Sequence, residues 1–157
     1  MRGVLFMVLL TFTPAFELRA SIPYGAFETG LPLWLTVVVC VVANIALAPL
    51  VWVFLDRFIN IFLRIGWISS VYERLVERSR AKLHPYIEKW GVIGLGLFIG
   101  VPLPGSGVYS GALGAYLMGF SFRNFFWASV LGVLVAGSIV TAIVVSGTAA
   151  STLFIKH

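Results

Sequence analysis

Glu17 and Arg19 are the residues of this sequence best placed to do chemistry, and both lie between Pro14 and Pro23 in an otherwise apolar N-terminal region. An ionisable residue at membrane depth is costly and is usually functional. A carboxylate and a guanidinium that converge in a non-helical tip could carry a proton and bind an anion. The alternative is a shallow tip, where both side chains lie in interfacial water. We favour the functional role.

A second interrupted stretch, residues 91–119, carries no charge. Each of its two apolar arms has 11 residues, which as a helix is roughly 16 Å, whereas the bilayer core is roughly 30 Å thick. The break between the arms contains Pro102, Pro104, Gly105, Ser106 and Gly107. Proline removes backbone donors and ends helices, so the stretch predicts a re-entrant hairpin with its tip near the midplane. The helix start after this tip would favour an anion.

Three further polar residues are candidates for the site. Glu28 either carries a proton or lies at the outer surface, because it is close to the end of the first hairpin. Asn44 either lines a cavity or bridges helices, and bridging is the commoner role. Arg123 either contacts a phosphate or carboxylate or anchors the chain at the inner face among aromatic residues.

The composition indicates a multi-pass protein of the plasma membrane. Hydrophobic residues make up 60% of the 157 residues and charged residues only 11%, a balance that globular domains do not show. The basic residues concentrate in segment 56–90, which predicts a cytoplasmic connector rather than a nucleic-acid surface. With one cysteine and two histidines, the sequence predicts no metal site and no cofactor.

These features predict an all-α membrane fold in one domain. The first repeat (1–55) holds a hairpin, with arms before residue 13 and after residue 23, and a transmembrane helix over 31–55. Segment 56–90 is predicted to be an amphipathic helical connector. The second repeat (91–157) holds the second hairpin and a transmembrane helix over 122–153. The alternative for the N-terminus is a signal peptide, although the residues around a cut after Ala20 are unfavourable.

The two halves also resemble each other in sequence. Residues 25–33 (GAFETGLPL) and 114–122 (GAYLMGFSF) share glycine, alanine and aromatic positions at an offset of 89 residues. The connectivity would turn this repeat into an inverted one with both termini outside, as in many secondary transporters. Small residues over 128–150 permit close packing and make a homodimer plausible.

The motifs PAFELRASIP (14–23) and VPLPGSGVYSGALGAYLMG (101–119) resemble the family named putative small multidrug export proteins, a compact relative of the DedA/VTT membrane proteins. The resemblance implies two re-entrant hairpins, each followed by a transmembrane helix. It matches Glu17 to an acidic residue of the first hairpin and Arg123 to the arginine after the second. It also implies movement of polyprenyl phosphate or phospholipid between leaflets, with proton coupling. The second tip of DedA proteins bears an arginine, whereas this one bears none.

Three functions follow as hypotheses. The first is a transporter or lipid flippase in contact with membrane lipids, with Glu17 as the proton-coupled carboxylate and Arg19 and Arg123 as anion contacts. The second is export of hydrophobic drugs, which needs a lone carboxylate, so that Arg19 counts against it. The third is a non-transporting scaffold. We expect no enzyme, because no nucleophile–base pair or metal set is visible.

Overall fold

The computed structural model describes residues 2–14, 16–62, 91–101 and 106–155, and every element in them is an α-helix. The first half contains α1 (Arg2–Thr11), α2 (Glu17–Glu28) and α3 (Leu33–Phe62). The second half contains α4 (Gly91–Gly100), α5 (Val108–Leu117) and α6 (Phe122–Ile155). Each half therefore has two short helices followed by a long one.

The long helices α3 and α6 pack antiparallel. Near one end, Val37 of α3 and Val145 of α6 line the same groove. At the other end, the ring of Trp52 on α3 stacks on Phe125 of α6 with centroids 5.0 Å apart. Leu33–Phe58 and Phe122–Gly147 are each long and apolar enough to cross a membrane. Their exposed faces carry large apolar side chains such as Trp34 and Ile143, as a lipid-facing surface requires.

The two pairs of short helices pack at opposite ends of α3. In the first pair, a Cβ built on Gly25 would meet Met7 and Thr36, and Gly3 lies beside Thr29. The helices α1 and α2 are therefore antiparallel, and α1 begins and α2 ends near the start of α3. In the second pair, the Tyr116 hydroxyl hydrogen-bonds Asp56 near the far end of α3 at 3.2 Å. The loops inside the pairs consequently point toward each other.

The junction before each long helix is built alike in both halves. Gly30 and Gly119 have φ of 67° and 76°, a left-handed conformation that glycine adopts without steric cost. Each lies three positions before the first residue of the long helix that follows. The second junction is also capped, because the backbone N–H of Asn124 donates to the Ser121 hydroxyl at 3.3 Å. The predicted sequence repeat thus coincides with a repeated turn.

The prediction of an all-α fold with two long apolar helices is confirmed, but two boundaries differ. Pro23 lies inside α2 rather than in the first tip, because α2 packs against α1, α3 and α6 and this packing outweighs one lost backbone hydrogen bond. The helix predicted to end at Leu55 continues to Phe62. Most of the predicted connector, residues 63–90, lies outside the described residues. The domain boundaries, the re-entrant hairpins and the inverted repeat stay predictions.

Candidate functional site

Glu17 is the first residue of α2, and its side chain lies beside α3, α5 and α6. Its side chain is 7% exposed, and its backbone has φ of 42°. A left-handed conformation is uncommon for a residue with a side chain and costs of order 1–3 kcal/mol. The fold tolerates this strain at the position of a buried carboxylate, which is a feature typical of functional sites.

The Glu17 carboxylate contacts the start of α5. It accepts hydrogen bonds from the backbone N–H groups of Val108 at 3.3 Å and Tyr109 at 3.5 Å. These are the first two residues of α5, whose N-terminal N–H groups have no partner inside the helix. Gly107, the residue before α5, has no side chain that could cap the helix. A carboxylate from the first half therefore caps a helix of the second half and meets the positive end of its dipole.

Gly107 leaves the space that the carboxylate occupies. A Cβ at this position would lie 2.6 Å from Oε2 of Glu17, closer than carbon and oxygen approach without a bond. Its φ of 141° is also one that residues with side chains rarely adopt. The site thus requires glycine here for two independent reasons.

Arg19, two residues after Glu17 on α2, contacts the loop between α4 and α5. Its Nη2 donates to the Ser106 carbonyl oxygen at 2.6 Å, to the Ser106 hydroxyl at 2.7 Å and to the Val101 carbonyl oxygen at 3.3 Å. The Ser106 hydroxyl in turn donates to the Val101 carbonyl. The guanidinium therefore ties together the two sides of the loop that separates α4 from α5.

Tyr109 makes the reverse connection. Its hydroxyl donates to the carbonyl oxygen of Phe12 at 2.5 Å, in the loop between α1 and α2. Each loop is thus held by a side chain from the opposite half of the molecule, and the site lies where the two loops meet.

A small enclosed cavity of about 10 Å³ adjoins these groups, which is room for about one water molecule. Besides Glu17 and Arg19, it is lined by Leu18, Asn44, Ile99, Val133 and Ala136. Asn44 is 1% exposed, and its Oδ1 has no hydrogen-bond partner. Asn44 thus lines a cavity, one of the two roles considered for it, and its binding role stays a prediction.

The other predicted site residues lie elsewhere. Glu28 is exposed at the end of α2, and Arg123 is exposed on the first turn of α6. The cavity wall on α6 begins at Val133, ten residues further on, which is about 15 Å along a helix. Pro14 is exposed in the first loop. Pro102, Pro104 and Gly105 lie outside the described residues.

Sequence reasoning missed Tyr109, which reads as one more aromatic residue in an apolar stretch. It also missed Ser21 and Thr36, two fully buried hydroxyl residues on α2 and α3, the helices that carry Glu17 and Asn44. Within the described residues, no three His, Cys, Asp or Glu side chains could together hold a metal ion.

Two helices of the described residues are long and apolar enough to cross a membrane, which is the arrangement of a helical membrane protein. The chain belongs to the family described as putative small multi-drug export protein, which matches residues 17–139. The match begins at Glu17 and includes every residue that lines the cavity. Comparison with curated proteins and with solved structures gives no significant match. The kinship with DedA proteins stays a prediction.

Proposed function

We propose that this protein is a proton-coupled membrane transporter that carries an anionic amphiphile, a lipid with a phosphate headgroup, at the site between the two loops. The observation that carries the proposal is the Glu17 carboxylate on the first N–H groups of α5. The protein places its own anion where backbone donors, a helix dipole and the Arg19 guanidinium converge. Another anion could use the same groups.

Proton coupling follows from the competition between the two anions. While Glu17 is ionised, it occupies the donors of α5 and balances the charge of Arg19. Once Glu17 takes up a proton, its claim on the N–H groups of Val108 and Tyr109 weakens, and an anionic headgroup can replace it. A proton and an anion would then bind together and leave together.

The membrane arrangement that this transport needs is two re-entrant hairpins in an inverted repeat. The order of helices, the equivalent turns at Gly30 and Gly119 and the placement of the hairpins at opposite ends of α3 support it. Irregular backbone at the midplane is tolerated where protein surrounds it, and here side chains of the opposite half bond the described ends of each loop. The cavity of about 10 Å³ is far too small for a headgroup, so we assign this structure to an occluded state.

Export of small hydrophobic compounds is the second candidate, favoured by the family's description and by a groove between α3 and α6. This groove has a volume of about 560 Å³, within the range of drug-sized ligand sites. Its walls include Val41, Leu134, Ser138 and Thr141. Glu17 would again carry the proton.

Reconstituted vesicles can separate these functions. We would measure the movement of a fluorescent phosphatidic acid, a fluorescent phosphatidylcholine and ethidium under an imposed pH gradient, for wild type, Glu17→Gln and Arg19→Ala. The proposal expects movement of phosphatidic acid alone, at least tenfold slower in both variants. Glu28→Gln is the matched control, since it makes the same change at an exposed position of the same helix.

Movement of ethidium alone would replace the proposal by the second candidate. If wild type moves none of the three probes, transport of these classes is wrong and a scaffold role takes its place. Equal loss in Glu28→Gln and Glu17→Gln would remove the site from between the loops.

A further inference from the structure

A buried polar face on α2 opposes a buried polar face on α3. Its members recur every four residues on each helix, which puts them on one side, and they are Glu17, Ser21 and Gly25 on α2 and Thr36, Cys40 and Asn44 on α3. At one end, Glu17 and Asn44 line the same cavity. At the other, a Cβ on Gly25 would lie 2.4 Å from Cγ2 of Thr36. The two faces therefore run antiparallel and in register, and we call them together the polar seam.

The polar seam contains buried oxygen atoms without partners. They are the hydroxyl oxygens of Ser21 and Thr36 and Oδ1 of Asn44, on residues that are at most 1% exposed. Outside the seam, one buried hydroxyl of the described residues, that of Ser129 on α6, also has no partner, whereas five others donate to the carbonyl four residues earlier. Those that do so are Thr11, Thr13, Thr29, Ser138 and Thr141.

Packing alone does not account for these oxygens. Alanine or valine would fill similar space without burying an unpaired polar group, which is unfavourable in an apolar environment. Three such atoms on facing surfaces of one helix pair, ending at a buried carboxylate, indicate that water joins them in another state of the protein. Buried water is found where two to four polar partners surround it.

We propose that the polar seam is the path by which a proton travels between Glu17 and the membrane face where α1 begins and α2 ends. This inference rests on the proposed function, in which Glu17 takes up a proton. Successive members on one helix are about 6 Å apart along the axis, so one bridging water fits between neighbours. Each hydroxyl or water accepts a proton on one lone pair and releases its own to the next oxygen. The net result of these transfers is that one proton moves from bulk water to the Glu17 carboxylate.

Glu17 is the acceptor at the end of this path. The other ionisable side chains beside it are Arg19 on its own helix and Tyr109 on α5. The cavity walls from α3, α4 and α6 are Asn44, Ile99, Val133 and Ala136, none of which titrates. A proton arriving from the seam therefore meets the Glu17 carboxylate as the basic group.

The seam is closed in this structure. The missing Cβ of Gly25 would lie 2.4 Å from both Sδ of Met7 and Cγ2 of Thr36, so three helices meet tightly at this point. Met7 is 0% exposed and closes the seam with a long, unbranched and adaptable side chain. Movement of Met7 would let water in from the face where α1 begins.

Cys40 lies inside the seam and reports on water there without any assay of transport. It is the only cysteine of the chain, is fully buried, and its thiol lies beside Ser21. We would treat vesicles containing the protein with methyl methanethiosulfonate and follow labelling of Cys40 by mass spectrometry. The variants are Met7→Ala, which removes the closure, and Ile22→Ala, which empties similar buried volume on α2 away from the seam.

The expected result is at least tenfold faster labelling in Met7→Ala than in Ile22→Ala. Equal labelling rates in these two variants would overturn the path, because loosened packing would then explain the access. If Met7→Ala does not fold, the labelling rate of Cys40 is compared between wild type and Thr36→Val instead. The path predicts slower labelling in the valine variant, and an unchanged rate overturns it.

A second measurement tests proton delivery. Ser21→Ala combined with Thr36→Val removes two unpaired oxygens, so we expect folding to be retained and proton-driven phosphatidic acid movement to fall at least tenfold. Ser129→Ala is the control, since it removes a buried, unpaired hydroxyl on α6 that lies outside the seam. Wild-type rates in the double variant would overturn the path while leaving the proposed function intact. If wild type itself moves no probe, the proposed function fails and the Cys40 labelling still decides the path.

Discussion

The two halves of the molecule repeat the same order of helices but contribute opposite kinds of groups to the site. The first half contributes charged side chains, Glu17 and Arg19, from the first turn of α2. The second half contributes backbone groups, the N–H groups of Val108 and Tyr109 and the carbonyls of Val101 and Ser106. The start of α2 therefore carries the charge, and the second loop, between α4 and α5, receives it mainly through backbone groups.

This difference predicts how each half should respond to mutation. Side-chain charge can be removed without straining the backbone, so that variants at the start of α2 should lose function but less stability than variants of the second loop. A backbone receptor can be altered only through its conformation, so that variants of the second loop should lose both together. The predictions below test this contrast, beginning with the largest effect.

Gly107→Ala should give the largest effect. The added Cβ would lie 2.6 Å from Glu17 Oε2 and would have to adopt φ of 141°. Overpacking and backbone strain together should lower the free energy of unfolding by about 2–4 kcal/mol and abolish transport. Unfolding in detergent and vesicle transport measure the two losses.

Gly147→Ala is the control for this substitution, since a Cβ there meets nothing within 4 Å. It should raise stability slightly, by up to about 1 kcal/mol, because alanine favours the helix. Equal stability of Gly107→Ala and wild type would show that the second loop does not act through its backbone.

Arg19→Ala should come second. It removes the donor that joins the Ser106 and Val101 sides of the second loop, and we expect about 2 kcal/mol of lost stability, since hydrogen bonds from charged groups contribute about 1.5–3 kcal/mol. Arg19→Lys keeps the charge without the planar fork of donors. Its stability and its transport rate should lie between those of wild type and Arg19→Ala. A lysine variant as defective as the alanine variant would show that geometry, and not charge, is what the first loop supplies.

The sequence allowed this contrast to be predicted in part. Glu17 and Arg19 could be identified because prolines interrupt an apolar chain around two charges, and the second loop could be placed because its arms are too short to span a bilayer. The prediction that Pro23 ends the first tip was wrong, because Pro23 lies inside α2. The packing of α2 against three other helices outweighs the tendency of proline to interrupt a helix, and the sequence shows only that tendency. The bond from Tyr109 to Phe12 joins residues 97 positions apart, and no local pattern encodes it.

Tyr109→Phe should have a modest effect. It removes the hydrogen bond that the second half donates to the first loop and keeps the ring, so we expect about 1 kcal/mol of lost stability. Tyr24→Phe is the control, because the Tyr24 ring contacts Phe6 and that contact survives the change. A loss as large as that of Arg19→Ala would mean that the first loop also depends on a receptor in the second half, and the two loops would then be more alike than the structure indicates.

Arg123→Gln should give the smallest effect, less than a twofold change in transport and no change in stability. The residue is exposed on the first turn of α6, about 15 Å along the helix from the cavity wall. Arg57→Gln is the control, an exposed arginine on α3, whose loss changes the net charge equally. If transport falls in Arg123→Gln as it does in Arg19→Ala while Arg57→Gln stays active, the second half brings its own cation to the substrate. In that case α6 would have to move Arg123 toward the site when the cavity opens. The difference between charged side chains from the first half and backbone groups from the second half would then hold only for the occluded state.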